Sequence, residues 1–161
     1  MMKLKTLVVV MVILFTLIAG IESFAVRRKP ISTEEAISKI NGIWVNTEYP
    51  EEVFNHAQKL VITSNGRIEW FMDATMIHPN FGATYLVTES WMDSRGHIYC
   101  TIDQKHDTGC KMQELWKLNK SGKKLEINSK HSTGEEYPTK IDRDTDLMAN
   151  PITYYMVYYR Q

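Results

Sequence analysis

Glu114 is the residue whose surroundings ask for chemistry. It stands between Met112 and Trp116 on the apolar side of the alternating run Met112, Glu114, Trp116, Leu118. A carboxylate on such a face must be paired, hydrogen-bonded or protonated, which suits a polar anchor inside a cavity. Two plainer readings stand beside it: water at the mouth of the fold, or an inward Lys or Arg as partner. Trp70, Met72, Trp116, Tyr154, Met156 and Tyr158 recur at strand spacing and would line the same cavity as Glu114. Aromatic and Met residues at that spacing also make ordinary core.

The two cysteines, Cys100 and Cys110, point two ways. An exported chain with two thiols suggests a disulfide. With Asp107-Thr108-Gly109 as a hairpin loop, however, Cys110 faces His106 and Cys100 lies six positions along the strand, about 20 Å at ~3.3 Å per residue. A bridge needs Cα atoms within about 7 Å, and would require the hairpin to turn nearer Lys105. His56, His78, His97, His106 and His131 fall on separate loops or strand ends without metal-ligand spacing, and read as solvated. Asp142-Arg143-Asp144-Thr145-Asp146 imitates the start of a calcium loop, but Leu147 stands where Gly is needed and Thr153 where Glu is needed. No nucleophile, base and acid fall into a recognisable arrangement, and no Gly-rich phosphate loop is present. The expectation is a protein that is not an enzyme, with no catalytic residue, cofactor or metal.

Composition narrows the class further. The chain has 161 residues, 43% hydrophobic and 24% charged, which excludes a disordered chain and fits one domain. Basic and acidic residues balance at 19 each, and become 17 and 18 if Lys3, Lys5 and Glu22 leave with a leader. Without a basic excess there is no counterion-releasing surface, so no nucleic-acid partner is expected.

That leader occupies residues 1–25. Lys3 and Lys5 precede the apolar run from Leu7 to Ala19, and Ser23-Phe24-Ala25 supplies the small residues of a cleavage site. The run is shorter than the ~20 residues a spanning helix needs. Residues 1–25 are therefore expected to be a signal peptide, 26–31 a basic linker and 32–161 the folded domain, secreted or periplasmic, with no stable membrane anchor after cleavage.

The domain opens on Ser32-Thr33-Glu34-Glu35, a capping box, and Ala36, Ile37 and Ile40 share one face of the short helix it starts. Strand patterns follow. Leu60, Ile62, Ile68, Trp70 and Met72 alternate with polar neighbours around Ser64-Asn65-Gly66, and a three-residue loop pairs Ile62 with Ile68. From Thr84 to Met92 two faces compete, Tyr85, Val87, Glu89 and Trp91 against Leu86, Thr88, Ser90 and Met92. Ile98, Cys100 and Ile102 face inward next, then Leu125 and Ile127. Residues 130–151 form a long polar connection, and the last strand would turn Ile152, Tyr154, Met156, Tyr158 and Arg160 inward.

Eight strands, a Gly42-Ile43-Trp44 opening and an Arg160 at the end of the last strand resemble the lipocalin-like families of the calycin group, most closely a small bacterial lipocalin-like protein. The resemblance covers residues 32–161 and implies an all-β, eight-stranded antiparallel up-and-down barrel with a short N-terminal helix. In it Gly42 and Trp44 open the first strand, and Arg160 lies over Trp44 and closes the base. It further implies an exported, non-catalytic barrel holding a small apolar or amphipathic ligand. The alternative is a side-chain-filled barrel that binds a protein partner through its surface, using the outward Tyr155, Tyr159 and Trp91.

Overall fold

The computed structural model describes residues 28–48, 57–131, 137–143 and 153–161. The expected signal peptide, and residues 26 and 27 of the linker, lie outside them. No helix among the described residues is long and apolar enough to cross a membrane.

A helix, α1 (Thr33–Ile40), begins where Ser32 Oγ accepts the Glu35 N–H at 3.1 Å. Ala36 and Ile40 on its inner face are buried. The strands are β1 (Lys29–Pro30), β2 (Gly42–Val45), β3 (Lys59–Ile62), β4 (Arg67–Phe71), β5 (Phe81–Met92), β6 (Ile98–His106), β7 (Lys111–Leu118), β8 (Lys124–His131) and β9 (Thr153–Arg160). All pair antiparallel. Strands β2 to β9 follow chain order round a ring, closed by β2 on β9 and by β5 on β6; β1 adds only a short pairing outside the ring, on β5. The protein is thus a closed eight-stranded antiparallel barrel.

Two hairpins set the register of the wall. Ile62 lies opposite Ile68 and Leu60 opposite Trp70, as a three-residue turn requires. Gln104 lies opposite Met112 across the turn bearing Gly109, whose φ of 91° suits glycine. Strand β5 follows neither competing pattern throughout. A bulge between Val87 and Glu89 takes Thr88 out of register. Ala83, Tyr85 and Val87 face the core before it, and beyond it Ser90 and Met92 lie opposite the core residues Cys100 and Ile98.

Closure is thinnest between β2 and β9, which meet at Trp44 opposite Arg160 and Val45 opposite Tyr159. By contrast β5 and β6 pair from Ala83–His106 to Met92–Ile98. Side chains reinforce the thin seam. The Arg160 guanidinium lies 4.3 Å from the centre of the fully buried Trp44 ring. It donates to Gly122 O and Asn41 O, each at 2.9 Å, and to Lys39 O. The indole N–H donates to Ile40 O at 2.8 Å. The otherwise orphaned carbonyls at the helix C-terminus are thereby satisfied by one cation and one indole, which also favours the negative end of the helix. Gly42 leaves room for this: its φ is +140°, and a Cβ there would stand 3.0 Å from Arg160 Nη1.

Trp44→Ala is therefore expected to lower folding stability by about 3–5 kcal/mol. Arg160→Lys, which keeps the charge but loses the planar fork, should cost about 1–2 kcal/mol. Urea denaturation checks both, and an unchanged midpoint for Trp44→Ala would contradict this account of the floor.

Candidate functional site

Away from the Trp44 floor the interior is not filled. A half-open cavity of about 470 Å³ is lined by Ala57, Trp70, Asn80, Phe81, Gln104, His106, Thr108, Cys110, Met112, Glu114 and Met156. Strand parity places most of them. Gln104 and His106 continue the inward series of Ile98, Cys100 and Ile102 on β6, Phe81 precedes Ala83 and Tyr85 on β5, and Met112 and Glu114 share one face of β7. At the rim three rings cluster, with Trp70 5.0 Å from His106 and 5.6 Å from Phe81, and Phe81 6.4 Å from His106, centre to centre. The rim is fastened by a two-pronged bridge, in which Arg67 donates to both Asp107 oxygens at 2.6 Å.

Glu114 is 2% exposed. Ser129 Oγ donates to its Oε1 at 2.6 Å; Trp116 Nε1 at 2.7 Å and Gln104 Nε2 at 3.2 Å donate to its Oε2. Register explains the convergence, since Ser129 lies directly opposite on β8 and Gln104 lies diagonally across on β6. All three donors are neutral. Burial pushes the carboxyl up to about 7, against the pull of the Ser129 and Trp116 hydrogen bonds. No Lys or Arg is among the described lining residues.

Glu126, on the opposite face of the neighbouring strand, shows what a compensated carboxylate looks like in the same wall. It is 3% exposed. Arg143 Nε and Tyr155 Oη donate to its Oε1 at 2.8 and 2.9 Å, and Lys117 Nζ lies 3.4 Å from Oε2. Burial raises its pKa, but the Tyr155 and Arg143 hydrogen bonds and the Lys117 charge outweigh that, so it ionises below the usual range. Residues 137–143 hold this outer face: Asn128 exchanges hydrogen bonds with Asp142, and Tyr137 donates to Asp103.

Of the seven expected lining residues, Trp70, Glu114 and Met156 border the cavity. Trp116 and Tyr158 are sealed in the core, and Met72, partly buried, packs against it. Tyr154 belongs to β9, but its side chain lies outside the described residues. Sequence reasoning missed His106 by reading every histidine as solvated, although its parity matches Ile102. It also set Gln104 aside, because a lone amide at a strand end carries no signal of its own.

Cys100 and Cys110, the uncertain disulfide pair, are not bonded to each other, as the register with the Asp107–Gly109 loop required. Cys100 lies opposite Trp116 in the core, whereas Cys110 follows the turn and its carbonyl accepts from His106 N–H at 2.8 Å. Burial pushes the Cys100 thiol up to about 12, so it stays protonated and inert. Tyr155 does lie on the outer wall, yet it is buried there rather than exposed.

The Glu114 shift has a definite sign. An unfolded carboxyl ionises near 4.5 and the folded one near 7. The folded state therefore holds the extra proton between those values, and stability falls as pH rises through that window. Glu114→Gln removes the penalty, which is roughly 3 kcal/mol in full. Its melting temperature should rise relative to the parent at about pH 8 and much less at about pH 5. Equal differences at both would show that the carboxyl is not desolvated. Comparison of the chain with protein-family models, curated proteins and solved structures finds no match to any of them.

Proposed function

We propose that this is an exported lipocalin-like carrier that holds one small apolar or amphipathic molecule at the open end of its barrel and performs no catalysis. The observation that carries this reading is the division of the interior. At the floor, Trp44, Leu125 and Tyr158 are essentially inaccessible. At the mouth, the 470 Å³ cavity is walled by Trp70, Phe81, His106, Met112 and Met156 with a few polar groups. Apolar walls with a small number of fixed polar atoms are the usual make-up of small-ligand sites, and this volume lies within their range. Eight strands give a ring wide enough for one such occupant. The calycin kinship rests on the Gly42, Trp44 and Arg160 closure, and export on the leader pattern of residues 1–25.

The surface-acting alternative keeps less support. Tyr155 is buried against Glu126, and the Tyr159 hydroxyl is engaged with Glu48. Trp91 remains half-buried on the outer wall, stacked on Tyr99 at 5.5 Å with Arg28 4.5 Å from its ring. A protein partner would meet the barrel there.

Native mass spectrometry of the purified protein separates the two. The expected spectrum carries a co-purified small molecule, or gains one from a panel of lipids and aromatic compounds, and Trp70 fluorescence changes on loading. Ala57→Trp, which fills the cavity from its wall, should abolish the gain. An apo protein that takes up nothing from the panel would contradict the carrier reading.

A further inference from the structure

Two features of the cavity concern charge rather than shape. Among the described residues Glu114 meets only neutral donors, whereas Glu126, also buried, draws Arg143 and Lys117. Beside it Gln104, 3% exposed, spends its Nε2 on Glu114 and leaves its Oε1 buried without a hydrogen-bond partner among the described residues. An unpaired carbonyl oxygen and an uncompensated carboxylate are each unfavourable when buried. Both are acceptors, and both belong to residues that line the same cavity. The carbonyl needs a donor and the carboxylate a cation, and one protonated amine supplies both.

Building on the carrier reading above, we propose that the occupant is an apolar, ring-bearing molecule that ends in a protonated amine, whose N–H groups donate to the Glu114 carboxylate and to Gln104 Oε1. The three neutral donors fix the orientation of the carboxylate without cancelling its charge, so the ligand supplies the missing half of a charge-assisted pair. The flat body packs against Trp70, Phe81 and His106, whose rings already cluster at the rim. An anionic amphiphile such as a fatty acid is disfavoured by the same arrangement, because its carboxylate would meet Glu114 with no Lys or Arg among the described lining residues.

Isothermal titration of the purified protein at about pH 8 with phenylbutylamine, phenylbutanol and phenylbutanoate tests this, since the three share one body and differ in the head. The amine should bind at least about 10-fold more tightly than the alcohol, with the carboxylate weakest. In Glu114→Gln the amine should fall to the level of the alcohol, whose own affinity changes little. Gln104→Met, which removes the second acceptor and leaves the carboxyl, should narrow the amine-to-alcohol ratio, and serves if the first variant does not fold. Alcohol and amine binding equally, or an amine preference that survives Glu114→Gln, would overturn the amine assignment while leaving the carrier reading intact. No binding by any of the three to the parent protein would overturn both.

Discussion

Everything in this fold hangs on closing a ring whose weakest seam joins the first barrel strand to the last. Backbone pairing between β2 and β9 is short, and the guanidinium of Arg160 compensates by reaching the indole of Trp44, the end of α1 and the turn before β8 at once. The helix end, the floor and the seam are thus one construction. Its effect on function is indirect: a floor that is already sealed confines any open space to the other end of the barrel.

The wall carries two buried glutamates with opposite fates, Glu126 nearer the floor and Glu114 nearer the other end. Glu126 faces outward and is neutralised by the chain itself, through Arg143, Lys117 and the Tyr155 hydroxyl. Glu114 faces inward and is only held in place, by Ser129, Trp116 and Gln104. Strand alternation brings this about, because a carboxylate turned inward has left the surface where flexible cations can reach it. Burying a charge without its partner is tolerated in folded proteins chiefly at sites that do something.

Much of the architecture was legible in the sequence because barrels repeat simple signals. Gly42, Trp44 and Arg160 marked the closure, and the turns at Gly66 and Gly109 fixed their registers through loop parity. Strand β5 was not legible, since a bulge at Thr88 switches its inward face midway and no periodicity can show that in advance. At the site, Glu114 stood out because charge on an apolar face is rare. Gln104 and His106 did not, because their polarity fits a solvated strand end as well as a cavity wall, and only the register with β7 decides between them. The depth of Trp116 and Tyr158 was not legible for a related reason: parity says which side of the wall a residue faces, not how deep it sits. The cysteines were legible in a simpler way: two thiols suggest a bridge, but the hairpin register sets Cys100 and Cys110 far apart along their strands, and they are not bonded to each other.

A closed barrel carries a cavity at its mouth and an inward carboxylate with no Lys or Arg among the described lining residues, and the state of that carboxylate can be read directly. Carbon-detected NMR of the side-chain carboxyl of Glu114, titrated in the ligand-free protein, gives its midpoint. The expected value is about 7, well above an ordinary glutamate. A midpoint at or below the ordinary 4.5 would mean that the group is solvated or already paired, and would contradict the claim.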